Sequence, residues 1–238
     1  MSVQTRPAKS SSLMGAARPS DFSLIETILW EPCCGYWLLP EHLLRLRQSA
    51  THFAFAYKED RLLRQLDVIT SGLASHVHII RVLINRPGLI QLSAEAARPD
   101  NSPVSAALAK HAVDPTNLFL YHSTTNRQVY AQALADRPGT DEVILWNHRG
   151  EVTESCTSNL IVEIDGEHYT PPVEAGLLPG TCRARLLAEG RLTERTVRVA
   201  ELTLCSRIYL INAVAGWREV PPWSKPYHFK SAESASPW

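Results

Sequence analysis

The order of hydrophobic periods in the first hundred residues limits what this chain can become. Phe22–Trp30 reads FSLIETILW, a strand-like run that is β-branched near its end. Gly35-Tyr36-Trp37-Leu38-Leu39 suggests a hairpin partner. Pro40 then opens a helix, since proline suits the first helical turn, and Leu43, Leu44, Leu46 and Phe53 supply its apolar stripe. A second helical stripe runs from Asp60 to about Ser71 through Leu62, Leu63, Leu66 and Ile69. Strands return at Val77–Ile84 and Leu89–Ser93, on either side of an Arg86-Pro87-Gly88 turn. Strands, then two helices, then strands predict an α+β unit.

Residues 97–117 carry Pro99, Pro103 and Pro115 and read as a connection. A second unit starts near Phe119. It is expected to hold a helix after Asn126, strands at Glu142–Trp146, Glu151–Thr153 and Leu160–Ile164, and a tight hairpin turn at Asp165-Gly166. A helix should follow Pro179-Gly180-Thr181, and the last clear strand is Ile208–Ile211. The expected division is a small N-terminal domain over 22–112 and a larger C-terminal domain over 113–220. Residues 1–21 and 221–238 read as tails, the second with Trp223, Tyr227, Phe229 and Trp238 available to dock it. Residues 1–20 lack the apolar run of a secretory signal.

Lys plus Arg equals Asp plus Glu, at 24 each, so no net charge marks a nucleic-acid or membrane partner. No run approaches the ~18 apolar residues of a membrane span. The five cysteines, Cys33, Cys34, Cys156, Cys182 and Cys205, form no CxxC pair. The vicinal pair is read either as redox-active or, with the others, as reduced thiols filling small spaces in a cytoplasmic protein. His76 and His78 share a strand face but have no third ligand, so they read as structural and no metal is expected.

Four short stretches carry possible chemistry. Arg45 sits between Leu44 and Leu46, and a partly buried guanidinium needs an anion, which a phosphate would supply. Leu178-Pro179-Gly180-Thr181-Cys182 leads into a helix. It reads as a plain Pro-Gly helix entry or as an anion site made of free N–H groups. Glu154 falls between two strands, as a turn acid facing water or as the partner of a heterocyclic N–H⁺. Finally, in Tyr121-His122-Ser123-Thr124-Thr125-Asn126-Arg127, the residues Thr124, Thr125 and Asn126 are expected to cap the next helix.

Together these pieces resemble the class IV aminotransferase family, fold-type IV pyridoxal-phosphate enzymes, and within it the aminodeoxychorismate lyases. The resemblance spans residues 22–220. It includes Ile25-Glu26-Thr27, His42 to Arg45 with Ser49-Ala50, Tyr121 to Arg127, Thr153-Glu154 through Asn159-Leu160, Tyr169 to Pro172, Leu178 to Thr181, and Asn212 with Gly216-Trp217. It implies a two-domain α+β architecture like that of D-amino acid aminotransferase, and a homodimer with the site between the domains. It implies pyridoxal 5'-phosphate as cofactor, with its phosphate on Arg45 and on the backbone amides of Thr181 and Cys182. Glu154 would pair with the pyridine nitrogen, keeping the ring an electron sink. Arg127 and Asn212 would meet a small carboxylate substrate.

The chain departs from the family pattern at three positions. Ser123 occupies the place of the Schiff-base lysine, and Ala213 and Ala215 replace a Ser and an Arg of lyase relatives. Serine cannot make that covalent bond, and its hydroxyl is a poor base at neutral pH. The cofactor is therefore in doubt. The leading expectation is a diverged lyase-type enzyme eliminating pyruvate from a chorismate-like or aromatic acid, with Ser123, His122 and Tyr121, or Glu154, as acid-base groups. The alternatives are an aminodeoxychorismate lyase inactivated by the change and binding the cofactor non-covalently, or a non-catalytic binding protein.

Overall fold

The computed structural model describes residues 22–73, 75–98, 102 and 104–221. Both expected tails, apart from Pro221, lie outside the described residues, as do Lys9, Lys225 and Lys230 and the four docking aromatics. Among the described residues, no helix is long and apolar enough to cross a membrane.

The first sheet has strand order β2-β1-β3-β4. Its members are β1 (Leu24–Glu31), β2 (Gly35–Tyr36), β3 (His78–Ile84) and β4 (Ile90–Ala96). Between β2 and β3 come α1 (Leu39–His52), with its proline in the first turn, and α2 (Glu59–Ser71). Side chains alternate across a strand. On β1 this sends Leu24, Glu26 and Ile28 to the buried face, with Ile80, Val82 and Ile84 of β3, under Leu46, Leu62 and Leu66 of the helices. Ile25 and Thr27 of β1, and Ile79 and Arg81 of β3, take the opposite face. Glu26 is thus placed among apolar residues by register alone.

The second sheet runs β10-β9-β8-β7-β6-β5, with β11 pairing to β8 and β12 to β11. In chain order these are β5 (Ala106–Leu108), β6 (Glu142–Trp146), β7 (Val152–Ser155), β8 (Asn159–Ile164), β9 (Glu167–Thr170), β10 (Thr193–Glu194), β11 (Arg207–Asn212) and β12 (Gly216–Val220). Helix α3 (Gln128–Ala135) packs on this sheet, burying Tyr130 and Ala133 with Val143, Leu145 and Cys156. Helix α4 (Thr181–Ala188) covers Ile161 and Ile211 with Leu186. At Asp165-Gly166 both residues have positive φ, 54° and 81°, which is the backbone of the expected tight hairpin turn.

Several local expectations are corrected. The stretch read as a connection holds β5, which joins β6 in parallel, so the larger sheet takes a strand from before residue 113. Glu154 lies inside β7, not between strands. Helix α3 has Arg127 at its N-cap, with no side-chain capping bond. Thr124 and Thr125 instead pair with the start of β1. Leu24 and Thr124 form a bridge, Thr125 N donates to Ser23 O at 2.9 Å, and Ile25 N donates to Ser123 O at 3.0 Å. Cys33 and Cys34 are exposed in the β1–β2 turn and fill no internal space. His76 and His78 stack on each other, and His78 Nδ1 meets the His76 carbonyl.

Candidate functional site

A cavity of about 420 Å³ opens between the two sheets. The small sheet contributes the exposed face of β1 and β3, through Ile25, Thr27, Ile79 and Arg81. The β7–β8 turn, residues 155–158, and the start of α4 form the opposite wall.

Arg45 and the α4 N-terminus form one end. Arg45 Nε donates to Glu26 Oε1 at 2.9 Å, and Nη2 donates to Oε2 at 2.6 Å. The anion that Arg45 requires is therefore Glu26 in the first instance. Glu26 Oε2 also meets His42 Nδ1 at 2.6 Å, and His42 Nε2 faces Thr181 Oγ1 at 3.4 Å. Burial alone would raise the Glu26 carboxyl. The Arg45 charge and the bonds from His42 and Arg45 hold it below its ordinary range. Glu26 is thus ionised, and Nδ1 is the imidazole nitrogen that donates. Helix α4 starts at Gly180 with no side-chain cap. A Cβ on Gly180 would lie 1.9 Å from Asn159 Oδ1, so glycine is what lets β8 pack against this helix start. An uncapped helix start beside a guanidinium is a cradle for an anion.

Glu154 lines the same cavity. It is 4% exposed, with Oε1 accepting from Tyr130 Oη at 2.7 Å and Oε2 from Asn159 Nδ2 at 3.3 Å. Burial pushes this carboxyl up to about 8, against the pull of the Tyr130 bond and of the more distant Arg127 and Arg45 charges. It therefore keeps its proton at neutral pH unless a cation comes close. Burial, then the Glu154 charge, raise the Tyr130 phenol well above 10. Asn159 Nδ2 also donates to Leu178 O at 2.8 Å, linking Glu154 to the loop before α4.

The structure brings together Arg45, Ser123, Arg127, Glu154, Thr181, Cys182 and Asn212, all of which line the cavity. The Arg127 guanidinium lies 4.3 Å from the Tyr130 ring centroid and donates to the Cys156 carbonyl. Asn212 Oδ1 accepts from Val214 N and Ala215 N, and Nδ2 donates to Ser158 Oγ at 3.0 Å, so it shapes the turn as well as the wall. Burial raises the Cys182 thiol, which keeps it in its unreactive form.

Tyr121 and His122 do not line the cavity. Tyr121 Oη donates to Pro115 O at 2.7 Å. His122 Nδ1 meets Ser49 Oγ at 2.9 Å, with the ring stacked on His52. Burial, and secondarily the His52 charge, lower His122 to about 4. Tyr121 closes the short 3-10 turn of residues 118–120 with helical backbone, and of the three residues 121–123 only Ser123 lines the cavity. Sequence reasoning gave no role to Glu26, Tyr130 or Asn159. Tyr130 lies two residues into α3, and only the fold brings it to Glu154.

Among the described residues the lysines are Lys58 and Lys110. Both are exposed and neither lines the cavity. The residues present fit both parts of a phosphorylated pyridine: Arg45 and the open helix start, with no Cβ at Gly180, for the phosphate, and the buried Glu154 for a ring nitrogen. They offer it no amine.

A family model described as Amino-transferase class IV matches residues 23–223. A protein of Schizosaccharomyces pombe described as "Putative aminodeoxychorismate lyase" is 28% identical over 178 residues, covering 72% of this chain and 76% of that one. A solved structure from Mesorhizobium loti, titled "Putative amino-acid aminotransferase", is 32% identical with TM-score 0.80, over 84% of this chain and 99% of that one. A Legionella pneumophila structure, "Putative 4-amino-4-deoxychorismate lyase", matches in fold with TM-score 0.71 at 22% identity, over 88% and 87% of the two chains.

Proposed function

The chain belongs to the class IV aminotransferase family, and from that premise we propose that it holds pyridoxal phosphate or its amine form without a covalent bond, as a diverged lyase-type member. One observation carries the reading. Arg45, the α4 start and Glu154 converge on one cavity, and no lysine among the described residues reaches it. Arg45 and the amides of Thr181 and Cys182 would hold the phosphate, and Glu154 would face the ring nitrogen. Bound there, the cofactor would supply an electron sink for charge developing on an attached substrate.

The chain's own residues contribute orientation and proton control. Tyr130 and Asn159 fix both oxygens of Glu154. The raised Glu154 carboxyl is neutral when the cavity is empty of cations and anionic when a protonated ring approaches. Ser123 occupies the wall where, by the family resemblance, a lysine is expected. A hydroxyl with no adjacent base moves protons poorly, and general acid-base help is typically worth about 10²–10⁴-fold. The likeness to the S. pombe protein described as a putative aminodeoxychorismate lyase favours a lyase on a chorismate-like acid. Turnover of such an acid here is expected to be slow, by a homodimer.

The test is to add pyridoxal phosphate and pyridoxamine phosphate to purified protein, treat with borohydride, and record absorbance and mass. Saturable binding that dialyses away and leaves no mass adduct supports the reading. A reduced lysine adduct, or no binding of either compound, sinks it.

A further inference from the structure

We propose that Glu26 is a positioning residue for the anion end of the cavity: it clamps one edge of the Arg45 guanidinium so that the other edge is presented to a phosphate. This rests on reading that end as a phosphate site. A guanidinium has five N–H donors in a fixed plane. Glu26 takes one from Nε and one from Nη2, in a side-on pair at 2.9 and 2.6 Å. Of the three remaining donors, one on Nη1 and one on Nη2 point along the Nη1–Nη2 edge, which is the edge that binds a second oxyanion with two parallel bonds. Arg45 also lines the cavity, as do Thr181 and Cys182 at the start of α4.

Glu26 is itself held. It is 2% exposed, on the buried face of β1, and His42 Nδ1 fixes the oxygen it shares with Arg45. His42 in turn faces Thr181 across the α1–α4 contact, where Glu41 and Arg185 also pair. The carboxylate thus ties a strand and a helix of the small sheet to the helix start of the large one. Fixing Arg45 before any ligand arrives removes the entropy cost of ordering a long side chain at binding.

The proposal makes a prediction whose sign separates it from plain electrostatics. Removing a buried negative charge near an anion site should, through space, tighten anion binding. Under positioning, Glu26→Gln weakens it, because an amide can accept from only one of the two guanidinium nitrogens and turns an N–H donor towards the other.

The experiment measures the affinity of the full chain for inorganic phosphate and for pyridoxamine phosphate, in wild type, Glu26→Gln, Arg45→Gln and the double variant. Both ligands should bind Glu26→Gln about tenfold or more weakly, the scale of one charged hydrogen-bonding contact. In the Arg45→Gln background the Glu26 change should cost nothing further. Equal or tighter phosphate binding by folded Glu26→Gln overturns the proposal, and so does an undiminished loss in the Arg45→Gln background. Pyridoxamine phosphate binding no tighter than phosphate would count against the cofactor reading alone. Absence of binding by either ligand removes both. If Glu26→Gln does not fold, the wild-type Arg45 Nε–H resonance decides. A slowly exchanging signal before phosphate is added supports the clamp, and free exchange with water overturns it.

Discussion

Replacing Glu154 by Gln should change how stability depends on pH far more than it changes the fold. The carboxyl is fully enclosed and its proton is released near 8, against an ordinary value of 4.5. In the unfolded chain it is ionised above about 4.5. Between these two values the unfolded state has lost the proton and the folded state keeps it. Stability that is complete below pH 4.5 is therefore lost steadily as pH rises, and the loss levels off above pH 8. At about 1.4 kcal/mol per unit over the difference between those values, the loss is on the order of 5 kcal/mol. Gln keeps the volume and an acceptor for Tyr130, and it does not titrate. Urea midpoints of wild type and Glu154→Gln, measured at intervals from pH 5 to 9, should diverge, with the variant the more stable at the alkaline end. Curves that run parallel across that range would refute the assignment of a protonated carboxyl.

Other expectations follow from the same geometry. His122 is lowered to about 4 from 6.5 by burial, so the neutral ring stabilises the fold above pH 6.5 and this is lost as pH falls towards 4. Partial exposure keeps the effect modest, and His122→Gln should flatten the acid limb of the melting-temperature profile. Ser123→Lys should create a borohydride-reducible adduct with pyridoxal phosphate, detected as a mass gain mapped to that residue; a folded variant with no adduct would argue against position 123. Gly180→Ala puts a Cβ where Asn159 Oδ1 now lies. It should cost about 1–3 kcal/mol by overpacking and weaken phosphate binding, both readable from thermal melts with and without phosphate.

The small sheet and its helices were legible because each obeys a single period. The stripe on α2 places Leu62 and Leu66 inside as the structure does, and on α1 it holds at Leu46 but fails at Leu44, which is half exposed. The period fails where a segment is buried on all sides. β7 is Val152-Thr153-Glu154-Ser155, buried at every position, so its polar residues read as a turn. β5 is three residues among prolines, too short to show any period. The caps were misread because Thr124 and Thr125 had a stronger claim on them: the open edge of β1 supplies backbone partners that a local rule does not see. At the site, family likeness picked out Arg45, Glu154 and Thr181. The Glu26–Arg45 pair, nineteen positions apart, depends on a helix crossing a strand, and no spacing rule announces it.

The backbone pairing of residues 123–125 with the start of β1 bears on how such a protein can drift. At position 123 the contact to the small sheet is made by the carbonyl, which accepts from Ile25 N. Any L-amino acid presents that same oxygen. The fold therefore exerts no selection on which side chain stands at 123, so long as it fits the cavity wall. Only chemistry does. A lineage released from the need for an amine there could lose it without disturbing this backbone contact.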